Sequence, residues 1–228
     1  MAESKQIPCL DHGFVRLVDS MGDDLAIVRA ARVSYDAEPR RDGSDGKLIR
    51  YLMRNRHTSP FEAVTLTFEV KAPIFVVRQW HRHRTWSYNE VSARYAELPE
   101  DFYVPNPSDV GEQSKSSKQA RDIGHEVSSD AKAYCLALRK ASEGAFDSYR
   151  GALGAGIPRE LARLYLPLNT YTRFFATVDL HNLFGFLRLR LHPHAQHEIR
   201  VYADAMLRLA KTVAPVATDA FSGTFFDD

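Results

Sequence analysis

Val64-Thr65-Leu66-Thr67-Phe68-Glu69-Val70-Lys71 alternates apolar and polar side chains, and Ala72-Pro73-Ile74-Phe75-Val76-Val77-Arg78-Gln79-Trp80 follows it directly. Strict alternation is the period of a strand with one buried face, so Val64, Leu66, Phe68 and Val70 are expected to point into a core. Pro73 has the fixed φ that suits the first turn of a helix, and Ile74, Phe75, Val76, Val77 and Trp80 supply its apolar face. A half-buried strand therefore runs into a helix that delivers Gln79 and Arg82 at its end. Rigid backbone on that path suits a place where charge must be held accurately.

Outward from this pair, Phe14 to Val18 reads as a short strand and Leu168 to Val178 as a longer one rich in threonine and aromatics. Helices are expected from Asp23-Asp24 to about Ala31, from Lys47 to about Arg56, and through Tyr134, Leu138, Ala141, Ala145 and Tyr149. Pro158 opens a short helix carrying Arg159, Glu160 and Arg163, and a helix from Asp179 carries Asn182, Arg188 and Arg190. Ile199, Tyr202, Met206, Leu209 and Val213 mark a last one. Ala37 to Lys47, with Pro39 and two Asp-Gly pairs, is expected to be a mobile loop, and His57 to Glu62 a turn forced by Pro60. Residues 106–121, rich in serine, lysine, proline and glycine, read as an exposed insertion. With no regular βαβ alternation and no internal repeat, the expected class is α+β in a single domain over residues 1–228.

Hydrophobic residues make up 44% and charged residues 26% of the 228, as in an ordinary globular domain. Lysine and arginine number 30 against 29 acids, so no global positive charge is available to hold a nucleic-acid polymer, and any anion site must be local. Cys9 and Cys135 have neither metal-ligand spacing nor a disulfide framework, which fits a reducing cytoplasm. Met1-Ala-Glu-Ser-Lys-Gln has no apolar signal region and no apolar run reaches membrane-spanning length, so the expectation is a cytoplasmic protein.

Immediately beyond the helix, Arg82-His83-Arg84-Thr85-Trp86-Ser87-Tyr88-Asn89-Glu90-Val91-Ser92-Ala93-Arg94-Tyr95 is too polar for a core element and too aromatic for a solvated loop. Forked guanidinium donors suit phosphates and carboxylates, each charged hydrogen bond being worth roughly 1.5–3 kcal/mol. The aromatics suit planar rings, while Glu90, Asn89 and the serines suit a polar heterocycle. The ligand suggested is nucleotide-like. Glu90 also has a plainer task open to it, neutralising a neighbouring arginine. Trp80 is expected in the core, whereas Trp86 is open to stacking on a ring.

The stretch Arg82-His83-Arg84-x-x-Ser87-x-Asn89-Glu90-x-Ser92-x-Arg94-Tyr95 resembles, at every fixed position, the signature of the flavin-dependent thymidylate synthases. Ala31-Arg32-Val33-Ser34, the His57–Glu62 turn, Gln79-Trp80, Leu166-Pro167-Leu168-Asn169-x-Tyr171-Thr172-Arg173-Phe174-Phe175 and His194-Ala195-Gln196 extend the resemblance from about residue 12 to about residue 205. It implies a thymidylate synthase-complementing fold, with a central, mostly antiparallel sheet flanked by helices and not a Rossmann fold, assembled as a homotetramer with sites where subunits meet. It also implies conversion of dUMP to dTMP, with 5,10-methylenetetrahydrofolate as carbon donor and NADPH reducing bound FAD. Carried over by position, Ser59, Arg82, His83, Arg84, Glu90, Asp179 and His181 contact FAD, and Ser34 and His57 lie beside the flavin. Gln79, Arg82, Glu90, Ser92, Arg94, Arg163 and Arg190 form the dUMP set. Gly185 departs from the pattern, standing where relatives often carry a polar side chain.

The chemistry can be followed from the residues as well. Methylating uracil at C5 needs an electron-rich C5, obtained by adding a nucleophile at C6 or by stabilising the N3-deprotonated, enolate-like ring. The first route needs an activated thiol, and neither cysteine has cationic neighbours in sequence to lower its pKa. The second needs a fixed cation beside the ring, a role that the resemblance gives to Arg190; it stays protonated and so stabilises charge without acting as a base.

Other features point elsewhere. His192-Pro193-His194-Ala195-Gln196-His197 lacks the carboxylate or cysteine spacing of a zinc site, so no metal is expected, and Gly151-x-x-Gly154-x-Gly156 is not a dinucleotide fingerprint. A rival reading is a non-catalytic nucleic-acid-binding module in which Arg82, Arg84 and Arg94 grip phosphates while Trp86, Tyr88 and Tyr95 stack on bases. Near-neutral charge and the central Glu90 weigh against it.

Overall fold

The computed structural model describes residues 6–33, 38–40, 42–115, 118, 120–124 and 127–225. In chain order the elements are β1 (Gln6–Cys9), β2 (Gly13–Met21), α1 (Asp24–Arg32), α2 (Gly43–Arg54), β3 (Thr65–Pro73), α3 (Ile74–Trp80), β4 (Ser87–Glu90), β5 (Glu112–Gln113), β6 (Arg121–Asp122), α4 (Ser129–Gly154), α5 (Arg159–Ala162), β7 (Tyr171–Asp179), α6 (Leu180–Arg190), α7 (His197–Lys211) and α8 (Pro215–Phe225). Five strands form an antiparallel sheet in the order β1-β2-β3-β7-β4, and β5 pairs with β6 in a separate hairpin. The α+β class is as expected. Among the described residues no helix is long and apolar enough to cross a membrane.

The alternating stretch is the middle of that sheet. β3 pairs along its whole length with β7, from Thr65↔Asp179 to Pro73↔Tyr171, and Leu66, Phe68 and Val70 share a buried face with Phe174, Ala176 and Val178. The opposite face is less open than alternation predicts, because Glu69 is also buried. A carboxylate there must be paired: Arg16, directly across on β2, and Arg173 on β7 (Nε to Oε1, 3.2 Å) supply the cations. Thr67 and Thr177 extend this polar lane at 3.0 Å.

Helix starts follow their capping residues. Asp23 accepts from the backbone N–H groups of Leu25 (2.9 Å) and Ala26 (3.2 Å), starting α1, and Asp42 accepts from Ser44 N (2.8 Å), starting α2 at Gly43. The helix therefore takes in four residues expected in the mobile loop: the Asp42 cap outweighs the weak helix propensity of two glycines. Residues 37 and 41 of that loop lie outside the described residues, as does Ser34. Residues 106–121 hold a 3₁₀ turn at Pro107–Asp109 and most of the β5/β6 hairpin, and Arg121 at their end turns inward onto the protein. β1, β4 and α8 have no counterpart among the elements read from sequence. For β4, four residues of mixed polarity carry no period of their own; the strand exists because β7 offers a free edge, with Ser87↔Thr177 through Glu90↔Phe174.

α8 owes its start to a distant residue. Pro215 occupies the first position, and the carboxylate of Asp24, on α1, accepts from Val216 N and Ala217 N, both at 2.9 Å. Burial raises the Asp24 carboxyl above its ordinary value, opposed by those two bonds. Replacing Asp24 by Ala is expected to cost about 1–2 kcal/mol, the usual worth of an N-cap, and to lower Tm by about 2–8 °C in a chain of this size. Thermal melting of the variant checks this; an unchanged Tm would show that α8 does not depend on the cap.

Candidate functional site

The motif begins where α3 ends. Trp80 is fully buried, stacked on Phe186 of α6 (centroids 5.0 Å apart, 26°) and met edge-on by Phe174 of β7 (5.4 Å), Tyr202 of α7 (6.0 Å) and Trp86 (6.0 Å). Trp86 is 7% exposed and packs in this cluster, lying parallel to Tyr88. It is therefore not offered to a ligand ring, contrary to the reading left open by its sequence. The Tyr88 hydroxyl donates to the carbonyls of Trp80 (3.3 Å) and His83 (3.1 Å), tying the turn between α3 and β4 closed from inside. The buried tryptophans and Tyr88 are the reason that the charged residues between them point outward: Arg82 and Arg84 are exposed.

Arg190, in the last turn of α6, reaches back to this turn. Its Nε donates to His83 Nε2 (3.1 Å) and its Nη2 to the carbonyl of Gln79 (3.2 Å). Gln79 Nε2 in turn donates to Gln196 Oε1, at the start of α7. His83 packs edge-on against Phe186 at 4.9 Å. Because Arg190 can only donate, His83 Nε2 must be the acceptor, which places its proton on Nδ1. Burial, then the charge of Arg190, lowers the His83 pKa to about 4. Burial, then the charge of Arg82, lowers that of Arg190. Among the described residues no carboxylate lies within ion-pair distance of Arg82, Arg84 or Arg190. The arginines gather positive charge that the chain does not neutralise, an arrangement suited to an anion.

The remaining candidates fall into two further groups. Glu90, exposed at the end of β4, accepts from Thr172 Oγ1 (2.6 Å) on β7. Just beyond, Arg94 N lies 3.3 Å from Ser92 Oγ, the Arg94 side chain is 3.7 Å from Glu160, and Arg163 Nε donates to the Glu160 carbonyl (3.2 Å). Glu160 thus brings together two arginines that the sequence separates by 69 positions. At the other end of α6, Asp179 accepts from Asn182 N (2.9 Å) and Nδ2 (2.6 Å), capping the helix that carries His181 in its first turn. Leu180 N bonds Val64 O (2.8 Å), which docks that helix start beside the 3₁₀ turn Ser59–Ala63; exposed His57 and Ser59 stand at the entrance to this turn. Ten residue steps of α6 separate this group from Arg190, about 15 Å at the helical rise. Thr172, Glu160 and Gln196 have no assigned role in the sequence reading. The Glu160–Arg163 spacing on a short helix was the available signal for one, while the partnership of Thr172 with Glu90 depends on a strand pairing that the sequence does not announce.

The fold and the arginine turn define a class, an α+β protein with a group of arginines, uncompensated among the described residues, beside one sheet edge. Residues 16–216 match the family model described as thymidylate synthase complementing protein. The chain is 54% identical over 215 residues to the flavin-dependent thymidylate synthase of Thermus thermophilus, spanning 94% of this chain and 77% of that one. It is 50% identical over 218 residues to that of Treponema denticola, spanning 95% and 82%. Among solved structures, the UMP/dUMP methylase PolB from Streptomyces cacaoi bound with 5-Br dUMP superposes with a TM-score of 0.86 at 42% identity, covering 95% of this chain and 97% of that one; the same protein bound with 5-Br UMP gives 0.85. The chain belongs to the thymidylate synthase complementing family, the flavin-dependent thymidylate synthases.

The His83 contact makes a pH prediction. Its folded-state pKa, near 4, lies below the ordinary 6.5, so between those values the unfolded chain binds the extra proton and stability falls as pH is lowered through this window. In NMR spectra of the folded protein the His83 ring should remain neutral and Nδ1-protonated down to about pH 5. A midpoint near 6.5, or an Nε2-protonated ring, would contradict the Arg190–His83 geometry.

Proposed function

We propose that the chain methylates dUMP at C5 to form dTMP, with methylenetetrahydrofolate as carbon donor, NADPH as reductant and FAD as cofactor. The observation that carries this reading is Arg190: a half-buried guanidinium held by the neutral acceptors His83 Nε2 and Gln79 O, with no carboxylate partner among the described residues. A cation so placed stabilises negative charge developing on a uracil ring and costs no reorganisation when it appears. The thiol alternative is weak here. Burial pushes Cys9 up to about 12 and raises Cys135, whose Sγ is occupied with the carbonyl of Pro105 at 3.3 Å. Neither is a ready thiolate near neutral pH. The brominated nucleotides on PolB, substituted at the position that would be methylated, agree with a pyrimidine nucleotide as ligand.

In this reading Arg190 lies against the pyrimidine, Gln79, Arg82 and Glu90 orient the nucleotide, and Ser92, Arg94 and Arg163 hold its sugar and phosphate end. The chemistry of the donor set suits FAD as well: Arg82 and Arg84 offer forked donors for a pyrophosphate, and Ser59 and His181 offer hydrogen bonds on the far group, with Asp179 fixing the helix start that carries His181. Ser34 and His57 complete the flavin side. FAD, when bound and reduced by NADPH, would supply the two electrons that convert the transferred methylene to a methyl group. His83, neutral at pH 7 and bonded to Arg190, keeps that guanidinium aimed while accepting none of its charge.

The site is completed by a further copy of the chain, in a homotetramer. Two features favour this. The groups assigned to one cofactor sit at opposite ends of α6, and apolar residues around the motif are exposed, among them Tyr95 (83%), Leu164 (78%) and Leu168 (67%).

The purified protein, loaded with FAD, should form dTMP from dUMP and methylenetetrahydrofolate when NADPH is supplied; failure to bind FAD after reconstitution would end the reading. Arg190→Ala should lower dTMP formation by about 10²–10³-fold, the usual loss of one preorganised charge-stabilising donor, while FAD affinity changes far less. Parallel loss of both would remove Arg190 from the pyrimidine. Cys9→Ser and Cys135→Ser should retain turnover, and an inactive but folded variant would restore the thiol route.

A further inference from the structure

Glu90 is the sole acid in the stretch Arg82 to Tyr95, and its partner is a neutral hydroxyl. At the end of β4 it pairs with Phe174 of β7, so the two side chains leave the sheet on the same face. Thr172 stands two residues further along β7, on that face and 5% exposed. Its Oγ1 donates to Glu90 Oε1 at 2.6 Å. The backbone on either side of Glu90 is fixed as well. Val91 N donates to the Arg173 carbonyl at 2.9 Å, and Tyr88 is tied down through its hydroxyl to the carbonyls of Trp80 and His83. Among the described residues no lysine, arginine or histidine lies within ion-pair distance of Glu90. The plainer task that its sequence left open, neutralising a neighbouring arginine, is not the one the structure shows.

Glu90 is exposed, so water would satisfy its oxygens if Thr172 did not, and the bond between them adds little to folding. Its effect is on direction. A glutamate at the surface turns freely about its side-chain bonds, and Arg82, Arg84 and Arg94 of the same stretch are cations toward which a free carboxylate can swing. Thr172 opposes that motion from a fixed point: pairing with Ala72 of β3 holds its backbone, and branching at Cβ restricts its rotamers. One oxygen of Glu90 is then occupied by the hydroxyl. The other is left for a ligand, and a carboxylate can only accept.

We propose that Thr172 is a positioning residue for Glu90: its hydroxyl keeps the carboxylate off the arginines of the motif and leaves one oxygen to a donor on the nucleotide. That donor is a ring imide N–H or a sugar hydroxyl, because a carboxylate repels a phosphate. The arginines are left unneutralised for the phosphate by the same bond. The inference rests on the proposed reading of Glu90 as a dUMP contact.

The test uses the FAD-loaded protein and measures dUMP binding and dTMP formation. Thr172→Val keeps size, branching and strand preference and removes the hydroxyl, whereas Thr172→Ser keeps the hydroxyl and gives up the branch. Thr172→Val should raise Kd and KM for dUMP about 3- to 10-fold, the worth of one net hydrogen bond, with kcat and flavin content within about twofold of wild type. Thr172→Ser should bring Kd and KM back to within about twofold. A role in packing alone gives the reverse order, with Val tolerated and Ser impaired, and overturns the proposal. In a Glu90→Ala background there is no carboxylate to aim, so Thr172→Val should have no further effect on Kd. An equal loss in both backgrounds, or an unchanged Kd in Thr172→Val alone, also overturns it. Wild-type protein that binds no dUMP overturns the functional reading and this inference with it, whereas wild-type binding with the wrong order of Val and Ser overturns the inference alone.

Discussion

Trp80 makes ring contacts with Phe174, Phe186, Tyr202 and Trp86, which together represent β7, α6, α7 and the turn that follows α3. Truncating a buried aromatic of this kind costs about 3–5 kcal/mol, but its position matters more than its energy. Trp80 is the last residue of α3, so the next two residues begin the arginine turn wherever this ring is fixed. The cluster leaves the indole N–H groups of both Trp80 and Trp86 unpaired, a cost that a phenyl ring at those positions would not incur. Close aromatic packing takes precedence, and through it the site inherits the rigidity of the sheet.

On that base the chain places charge that it does not balance. Buried Glu69 is bracketed by Arg16 and Arg173, and buried Glu198 is paired with Arg121, so these two buried carboxylates are neutralised. At the turn the rule is reversed: Arg190 faces Arg82 and a neutral histidine. Burial, and after it the like charge of Arg82, lowers the Arg190 pKa, and an anionic ligand would relieve the repulsion. Such local imbalance costs stability in the free protein and becomes favourable interaction when the ligand binds. With a net charge of +1 over the whole chain, the effect is confined to the site.

How much could be read beforehand depended on the range of the interactions involved. The β3–α3 pair was legible because alternation and Pro73 are local, and the arginine turn because its fourteen residues are contiguous. β4 was not, since its existence depends on the free edge of β7. Nor was α8, whose start is capped by Asp24 from about 190 positions away. Trp86 was misjudged for the same reason: its neighbours in sequence are polar, and only the fold brings it against Trp80. The candidate residues were named through a shared motif, whereas their neighbours Gln196, Glu160 and Thr172 are joined to them by tertiary contacts alone.

The central claim is that groups at the two ends of α6 serve one reaction by meeting across copies of the chain. Hybrid assemblies test it most directly. Arg190→Ala chains and Ser59→Ala/His181→Ala chains, each inactive alone, would be co-expressed and their dTMP formation measured with FAD, NADPH, dUMP and methylenetetrahydrofolate. Random pairing of shared sites should restore on the order of a quarter of wild-type turnover. Hybrids as inactive as the parent variants would contradict a site shared between chains.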